Sequence, residues 1–468
     1  MRVRKTFVGP RLRQLRKERG QSQVDMARAL GVSASYVNLL ENNQRSLSLP
    51  VLLRVAEVYG VDWRDLLQDD APTTLADLKN ALEDPVFGDD KPDLQELRAA
   101  LDHSPRLART LLNLHRAYRA LSEELLLATE GGEAPSYQSV ETVVHDLFRR
   151  HRNHFDALER AAERFRAGED IAPDEVYAHL KRRLAERFGI EVIPTPTREL
   201  PHTLRAYDET TGRIRLSDAM DYPNKVFQLT HVAGLLEYRE VIDRIITGGG
   251  LAGPREQARC RVELANYLAA AVLMPYELFL AEAEASAYDI DHLAARFGVS
   301  FEQACHRLTT LQRDGAQGVP LFFVRIDRAG NVTKRFNATS FNLAQYGGAC
   351  PRWDIHQSFA MPGRILPQFV ELPDGSQYFT ISRTVDRPAL DRHSHDHRLA
   401  VTLGCAIEHA PKLIYAQGYQ LGDPGLATPI GINCRLCPRQ HCPQRAQQPL
   451  HLDLPIDERR RGHTRFES

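Results

Sequence analysis

The chain has 468 residues, 43% hydrophobic and 26% charged, which describes a globular protein with room for about three domains at ~150 residues each. No apolar run approaches the ~20 residues of a membrane span, and no apolar signal region follows the basic start Met1-Arg2-Val3-Arg4-Lys5. A membrane is therefore no expected partner, and a cytoplasmic protein is expected. The net charge of −1 hides an asymmetry, because residues 1–60 carry eleven Arg or Lys against four Asp or Glu. A basic N-terminal module on a neutral chain points to a polyanion. Four of the seven Cys crowd into positions 405–442, and in a reducing compartment such clustering favours metal over disulfide.

The expected fold is multidomain, mainly α with α+β parts. Residues 1–70 form a five-helix module, 71–172 a helical linker and dimerisation belt, and 173–317 an α+β middle domain. Residues 318–446 form an α+β domain with the cysteines, and 447–468 a loosely ordered tail. Within the first, Val8, Leu12 and Leu15 stripe one helix and Val24, Ala27 and Leu30 a second. Gly31 supplies a tight turn, Ser33 caps a helix to Glu41, Pro50 opens a fourth and Asp62 caps a fifth. The stretch RLRQLRKERGQSQVDMARALGVSASYVNLLENNQRSLSL resembles the phage-repressor type of helix-turn-helix. That resemblance puts the 33–41 helix in the major groove of a double-stranded operator, with Ser33, Ala34, Ser35, Tyr36 and Asn38 at or near base edges, and Gln23 and Arg45 on phosphates. A small helical bundle without DNA is the plainer alternative. The arm Arg2-Arg4-Lys5 is either a minor-groove reader or a solvated tail.

The 72–170 belt keeps Leu and Ala at three- and four-residue spacing, with Pro105 starting a long helix. Such modules read paired half-sites, so the belt is the candidate surface for a homodimer or a dimer of dimers, packing within the monomer being the alternative.

The middle region holds a buried helix, Lys225 to Tyr238, with Val226, Leu229, Val232, Leu235 and Leu236 on its inward stripe. Zinc peptidases carry H-E-x-x-H on such a helix: two His grip the metal and the Glu takes a proton from water. Here His231 stands at the first position, but Val232 and Leu235 replace the Glu and the second His. The region resembles the small zinc-peptidase-like domain fused to repressor-type modules, and that resemblance places Glu263 at the third ligand. Two ligands without a base give neither firm metal binding nor hydrolysis, so no enzyme is expected. His231 alone reads as a satisfied core histidine, and Glu263 as paired with His231 or Arg259. A cleft that has lost its metal remains a concave ligand site, here expected near Arg205, His231, Glu263 and Tyr267. An aromatic stretch with Tyr346, Trp353 and Phe359 is the competing pocket. Residues 291–313 have the rhythm of a second helix-turn-helix, read as packing.

Cys434, Cys437 and Cys442 form C-x2-C-x4-C, with Cys405 29 residues before the first. Three thiolates in nine residues plus a fourth at a distance suit a tetrahedral or cluster site; reduced structural cysteines or a redox disulfide are the alternatives, and spacing does not choose zinc from iron–sulfur. Cys350 is expected to be buried. The three His of DRHSHDHR, 391–398, are expected in a solvated loop.

Together, the DNA module, FQLTHVAGLLEY with ELANYLAAAVLMPY, and IGINCRLCPRQHCPQRA make the chain similar to the bacterial short-chain fatty acyl-CoA-responsive transcription regulators, over nearly its full length. The resemblance implies an acyl-CoA effector of propionyl or acetyl type, control of short-chain fatty acid genes, and in the propionate branch a [4Fe–4S] cluster on Cys405, Cys434, Cys437 and Cys442. A redox or iron sensor, with the cluster itself as effector, and a repressor-cleaving metallopeptidase are the other readings.

Overall fold

The structure is a computed structural model and describes residues 12–449, 459 and 464, except 14, 17–18, 42–44, 46–47, 60–70, 83, 88–90, 130–139, 168–173, 201–202, 252, 340, 342–348, 387–397, 422, 424 and 432. Two bodies divide at residue 132, Met1–Gly132 and Glu133–Ser468.

In the first body, local chemistry sets the helix ends. Helix α1 (Gln23–Leu30) starts where the Ser22 side chain accepts from the Asp25 backbone N–H, and it stops at Gly31, whose φ of 70° is left-handed. Ser33 Oγ accepts from the Tyr36 N–H at 3.1 Å, opening α2 (Ala34–Glu41). With α3 (Leu49–Tyr59), these helices close a small core of Leu12, Met26, Ala27, Leu30, Val37, Leu40, Leu52 and Val55. The expected fifth helix after Asp62 and the arm at 2–5 lie outside the described residues. Three more helices follow, α4 (Ala71–Leu82), α5 (Leu94–His103) and α6 (Pro105–Thr129). They share a separate cluster around Leu78, Leu97, Ala108 and Leu112. Asp84 fastens this group, accepting from His115 and Arg119 at 3.1 Å each.

The second body begins earlier than the expected boundary at 172. Helices α7 (Val140–Arg150) and α8 (Asp156–Arg166) bury Leu147, Phe148, Phe155, Leu158 and Phe165 in its core instead of joining the belt. Helix α9 (Val176–Phe188) ends at left-handed Gly189. A three-stranded sheet follows, in the order β1 (Glu191–Thr195), β3 (Arg213–Ser217), β2 (Arg205–Asp208). Then come α10 (Tyr222–Glu237), capped by Asp221, α11 (Arg239–Gly248), α12 (Pro254–Leu273) and α13 (Tyr276–Ala285). Gly234 lets α10 cross α12 closely, since a Cβ there would stand 3.0 Å from the Leu268 side chain. The 291–313 stretch is indeed a helix pair, α14 (Ile290–Phe297) and α15 (Phe301–Leu308). Its second helix buries Ala304, Cys305, His306, Arg307 and Leu308, so it is packing.

The last region is a six-stranded sheet. Its strands are β4 (Phe322–Ile326), β5 (Val332–Asn337), β6 (Leu366–Glu371), β7 (Gln377–Asp386), β8 (Arg398–Ala406) and β9 (Thr428–Pro429). They lie in the order β9-β6-β7-β8-β4-β5. Two of its hairpins turn at Gly330 and Gly375. One sheet face, with Phe323, Phe369, Phe379, Val401, Leu403 and Cys405, joins the core of the helices before it. The expected division at 317 therefore runs through one continuous core. The opposite face, with Phe322, Val324, Val370, Tyr378 and Ala400, carries its own cluster with Cys350 and Trp353. Among the described residues no single helix is long and apolar enough to cross a membrane.

Candidate functional site

Three places carry the residues expected to act. On α2, Ser33, Ser35 and Asn38 are exposed, while Ala34 and Tyr36 are half-buried. Arg45 lies over the Tyr36 ring, 5.7 Å from its centroid. Gln23 spans the two helices, donating to Glu41 at 2.8 Å and Asn38 at 3.4 Å. Buried Glu41 also takes Arg16 through two bonds of 2.6 and 3.1 Å. Burial alone would raise the Glu41 carboxyl, but the bonds from Arg16 and Gln23 hold it below its ordinary value. The angle between α1 and α2 is thus fixed by an ionised carboxylate.

In the second place, α10 carries His231, with Val232 buried and Leu235 packed against the core one turn later. Arg205 on β2 donates from Nη1 to His231 Nδ1 at 3.0 Å and to the Gln228 carbonyl at 3.2 Å. The Val262 carbonyl accepts from the ring as well. Burial, reinforced by the Arg205 charge, pushes His231 down to about 4, so the imidazole is neutral near pH 7. Arg205 loses some basicity to burial but keeps its proton. The histidine is therefore satisfied, its Nδ1 taken by a guanidinium and the ring also bonded to a backbone carbonyl. Glu263 is paired with Arg259 at 3.0 Å and, more loosely, with Lys334 at 3.8 Å. Of the two expected partners, Arg259 is the one.

Tyr267 belongs elsewhere, and its expected place beside a ligand is corrected. Its hydroxyl donates to Glu159 at 2.6 Å and accepts from the Phe155 N–H at 3.2 Å, inside the core. Arg307 completes that network, donating to Glu159 at 2.6 and 2.9 Å and to the Met274 carbonyl at 2.9 Å. One turn beyond Glu263, α12 packs against α8, so Tyr267 lies in the core with Phe155 and Glu159. The competing aromatic stretch is also filled. Trp353 packs with Phe322 and Phe341 and donates its indole N–H to Thr380, Phe359 packs on the same cluster, and Tyr346 lies outside the described residues.

The third place is a cavity lined by Cys350, Cys434, Cys437 and Cys442 together with Gly431, Arg439 and Arg445. Here the sequence expectation is wrong in one residue. Cys405 pairs with Phe379 near the end of β8 and points into the helix-facing core, where burial pushes its thiol up to about 12. Successive side chains of a strand face opposite ways, so the sheet itself separates Cys405 from the cysteine loop. Cys350, on the far face, stands in its place; its sulfur accepts from the backbone of Gly431 and Arg352. Two arginines tie the loop down. Arg439 donates to the Ile430 and Glu371 carbonyls, and Arg445 to those of Cys434, Cys437 and Arg439. Gly431 leaves the room Cys437 uses, since a Cβ there would come within 2.7 Å of its sulfur. Four thiols on one cavity offer the donor chemistry of a tetrahedral or cluster group, although among the described residues no three His, Cys, Asp or Glu are grouped closely enough to hold a metal ion. No disulfide forms among the seven cysteines. The His of 391–397 lie outside the described residues.

Comparison with known proteins follows the same three-part order. Residues 12–66 match the helix-turn-helix family, residues 185–309 the IrrE N-terminal-like domain family, and residues 310–466 the short-chain fatty acyl coenzyme A regulator C-terminal family. The chain is 38% identical to the propionyl-CoA carboxylase regulator of Cereibacter sphaeroides over 99% of both chains. It is 39% identical to the HTH-type transcriptional regulator RamB of Mycobacterium tuberculosis over 97% of both. It is 36% identical to the HTH-type transcriptional regulator PrpR of the same organism, over 97% of this chain and 94% of that one. A solved structure of a Mycobacterium tuberculosis transcriptional regulator superposes with a TM-score of 0.66 at 36% identity, covering 70% of this chain and 99% of that one. These relatives are transcription regulators, and the chain belongs with them, in the short-chain fatty acyl coenzyme A regulator family of helix-turn-helix proteins.

Proposed function

We propose that this regulator senses a short-chain acyl-CoA, of propionyl or acetyl type, and answers by changing its grip on an operator that controls short-chain fatty acid genes. The observation that carries the reading is the quenched peptidase centre. His231 is neutral and bonded to Arg205, Glu263 is held by Arg259, and Val232 and Leu235 fill the base and second-ligand positions. A domain of this descent without a metal or base keeps a scaffold for binding and has no means of hydrolysis. An effector changes DNA affinity only by binding two states unequally, and a typical coupling of ~1–3 kcal/mol would move operator affinity about 5- to 150-fold. The DNA partner would be read by a homodimer or a dimer of dimers, with Ser33, Ala34, Ser35, Tyr36 and Asn38 toward the bases and Gln23 and Arg45 toward phosphates. For the effector's acyl end, Arg205, His231 and Glu263 remain the candidate surroundings, without Tyr267.

The four cavity cysteines, Cys350, Cys434, Cys437 and Cys442, would hold a [4Fe–4S] cluster or zinc. When bound, the first would supply redox sensitivity and the second a structural cross-link. This supports a second reading, in which loss of the cluster is itself the signal.

The test is anaerobic purification with metal analysis, then thermal shift and operator binding with a series of acyl-CoAs. Saturating effector at a hundredfold excess over Kd adds about 2.7 kcal/mol of stability. Operator affinity that ignores every acyl-CoA but follows cluster loss overturns the first reading in favour of the second.

A further inference from the structure

The second body has an open cleft of about 300 Å³ between α8 and α11, lined by Asp156, Ala157, Arg160, Arg164, Val241 and Arg244. Three of its six lining residues are arginines. Arg160 is used locally, bonded to Asp156 at 2.7 Å, and Asp156 also faces Arg313 at 3.4 Å. Arg239, just outside on α11, pairs with Asp243 at 3.7 Å. Arg164 and Arg244 differ. Both are exposed, and among the described residues neither faces a carboxylate within ion-pair distance. Arg164 instead lies over the Tyr238 ring at 5.9 Å, which holds its guanidinium in place without neutralising it. Ala157 and Val241 add a short apolar floor.

We propose that this cleft binds a phosphate ester, with Arg164 and Arg244 as its two prongs. A guanidinium presents a planar fork of donors that matches phosphate oxygens, and two such forks from facing helices suit a dianion better than a single carboxylate. Asp156, already shared by two arginines, adds little repulsion, and the apolar floor accepts the body of an organic phosphate. The source of the phosphate rests on the function proposed above: an acyl-CoA carries phosphate groups at its nucleotide end, far from its acyl chain. That end would lie on α8 and α11.

The experiment uses the full-length protein, titrated calorimetrically with adenosine 3′,5′-bisphosphate, inorganic phosphate, an acyl-CoA and the same acyl-CoA lacking its 3′-phosphate. Both side chains are exposed, so the R164Q/R244Q double variant is expected to keep the wild-type melting temperature, and R164K/R244K serves as a second variant that retains charge without the fork. The expected result is bisphosphate binding by the wild type that falls at least about tenfold in the Gln variant, the scale of lost charge-assisted hydrogen bonds, with Lys between. The acyl-CoA should lose in parallel, and removing its 3′-phosphate should cost affinity only in the wild type. Wild type and Gln variant binding every phosphate compound alike overturns the proposal, as does a variant whose only loss is DNA affinity. Bisphosphate binding that depends on both arginines, in a protein indifferent to acyl-CoA, upholds the cleft and refutes the effector instead.

Discussion

The second body contains two places where ligand-type side chains gather, and they have opposite fates. Around α10 the donors survive singly and each is quenched by a cation, His231 by Arg205 and Glu263 by Arg259. Around the cysteine loop the cations bond to backbone carbonyls and leave the thiols facing a common cavity, Arg445 holding the chain at Cys434 and Cys437. A site is therefore not diagnosed by its donors alone. What decides is whether the neighbouring charges consume the lone pairs or support the loop that presents them.

The largest effect should come from the residue that the first place excludes. Arg307 is fully buried and supplies two of the bonds to Glu159, while Tyr267 supplies another. Arg307→Met strands a buried carboxylate and should cost about 3–5 kcal/mol, read as a fall in urea midpoint. Tyr267→Phe should cost about 1–2 kcal/mol and leave acyl-CoA affinity of the folded protein unchanged. A selective loss of affinity in that variant would return Tyr267 to the site.

Acid should reveal the quenching directly. His231 titrates at about 4 when folded against roughly 6.5 when unfolded. Protons therefore go to the unfolded chain first, so stability is full above pH 6.5 and drains away as pH falls toward 4. His231 alone accounts for up to about 3 kcal/mol of that loss. His145, which burial pushes down to about 3, adds to it in the same direction. The informative quantity is a difference: His231→Gln should flatten the wild-type slope between pH 6.5 and 4, and identical slopes would mean the ring is not protected as described.

Much of this was legible in the sequence because it is local. Ser22, Gly31 and Ser33 mark the ends of α1 and α2 by their own capping chemistry, and Gly330 and Gly375 turn the hairpins where the strands demand it. The replacement of base and ligand by Val232 and Leu235 is a fact of residue type. The errors are all of facing. Strand alternation says that neighbours on β8 point opposite ways, but not that the helices would take the Cys405 side. Cys350 is buried as expected, but only the folded sheet brings it to the loop at 434–442. Helices α7 and α8 are amphipathic in a way that suits a belt as well as a core. Only the partners on α12 and α15, Tyr267 and Arg307, decide it.

The cysteine comparison should separate by kind of effect rather than by size alone. Cys405→Ser puts a hydroxyl in an apolar core and should cost about 1–3 kcal/mol while leaving iron or zinc content intact. Cys350→Ser and Cys437→Ser should lose the metal. Metal analysis beside thermal denaturation reads both, and metal loss from Cys405→Ser with retention in Cys350→Ser would reverse the assignment of the fourth thiol.

The smallest effect belongs to the half-exposed partner of Glu263. Arg259 has 47% of its side chain exposed, and Glu263 keeps Lys334 at 3.8 Å and Asn266 at 3.4 Å when Arg259 is gone. Arg259→Gln should therefore cost less than about 1 kcal/mol. It should also leave zinc uptake at α10 at zero, since freeing one carboxylate oxygen supplies neither a second ligand at Leu235 nor the His231 nitrogen that Arg205 occupies. Zinc bound by this variant in a Cys437→Ser background would mean that a single cation, and not the whole replaced triad, had kept the old metal seat closed.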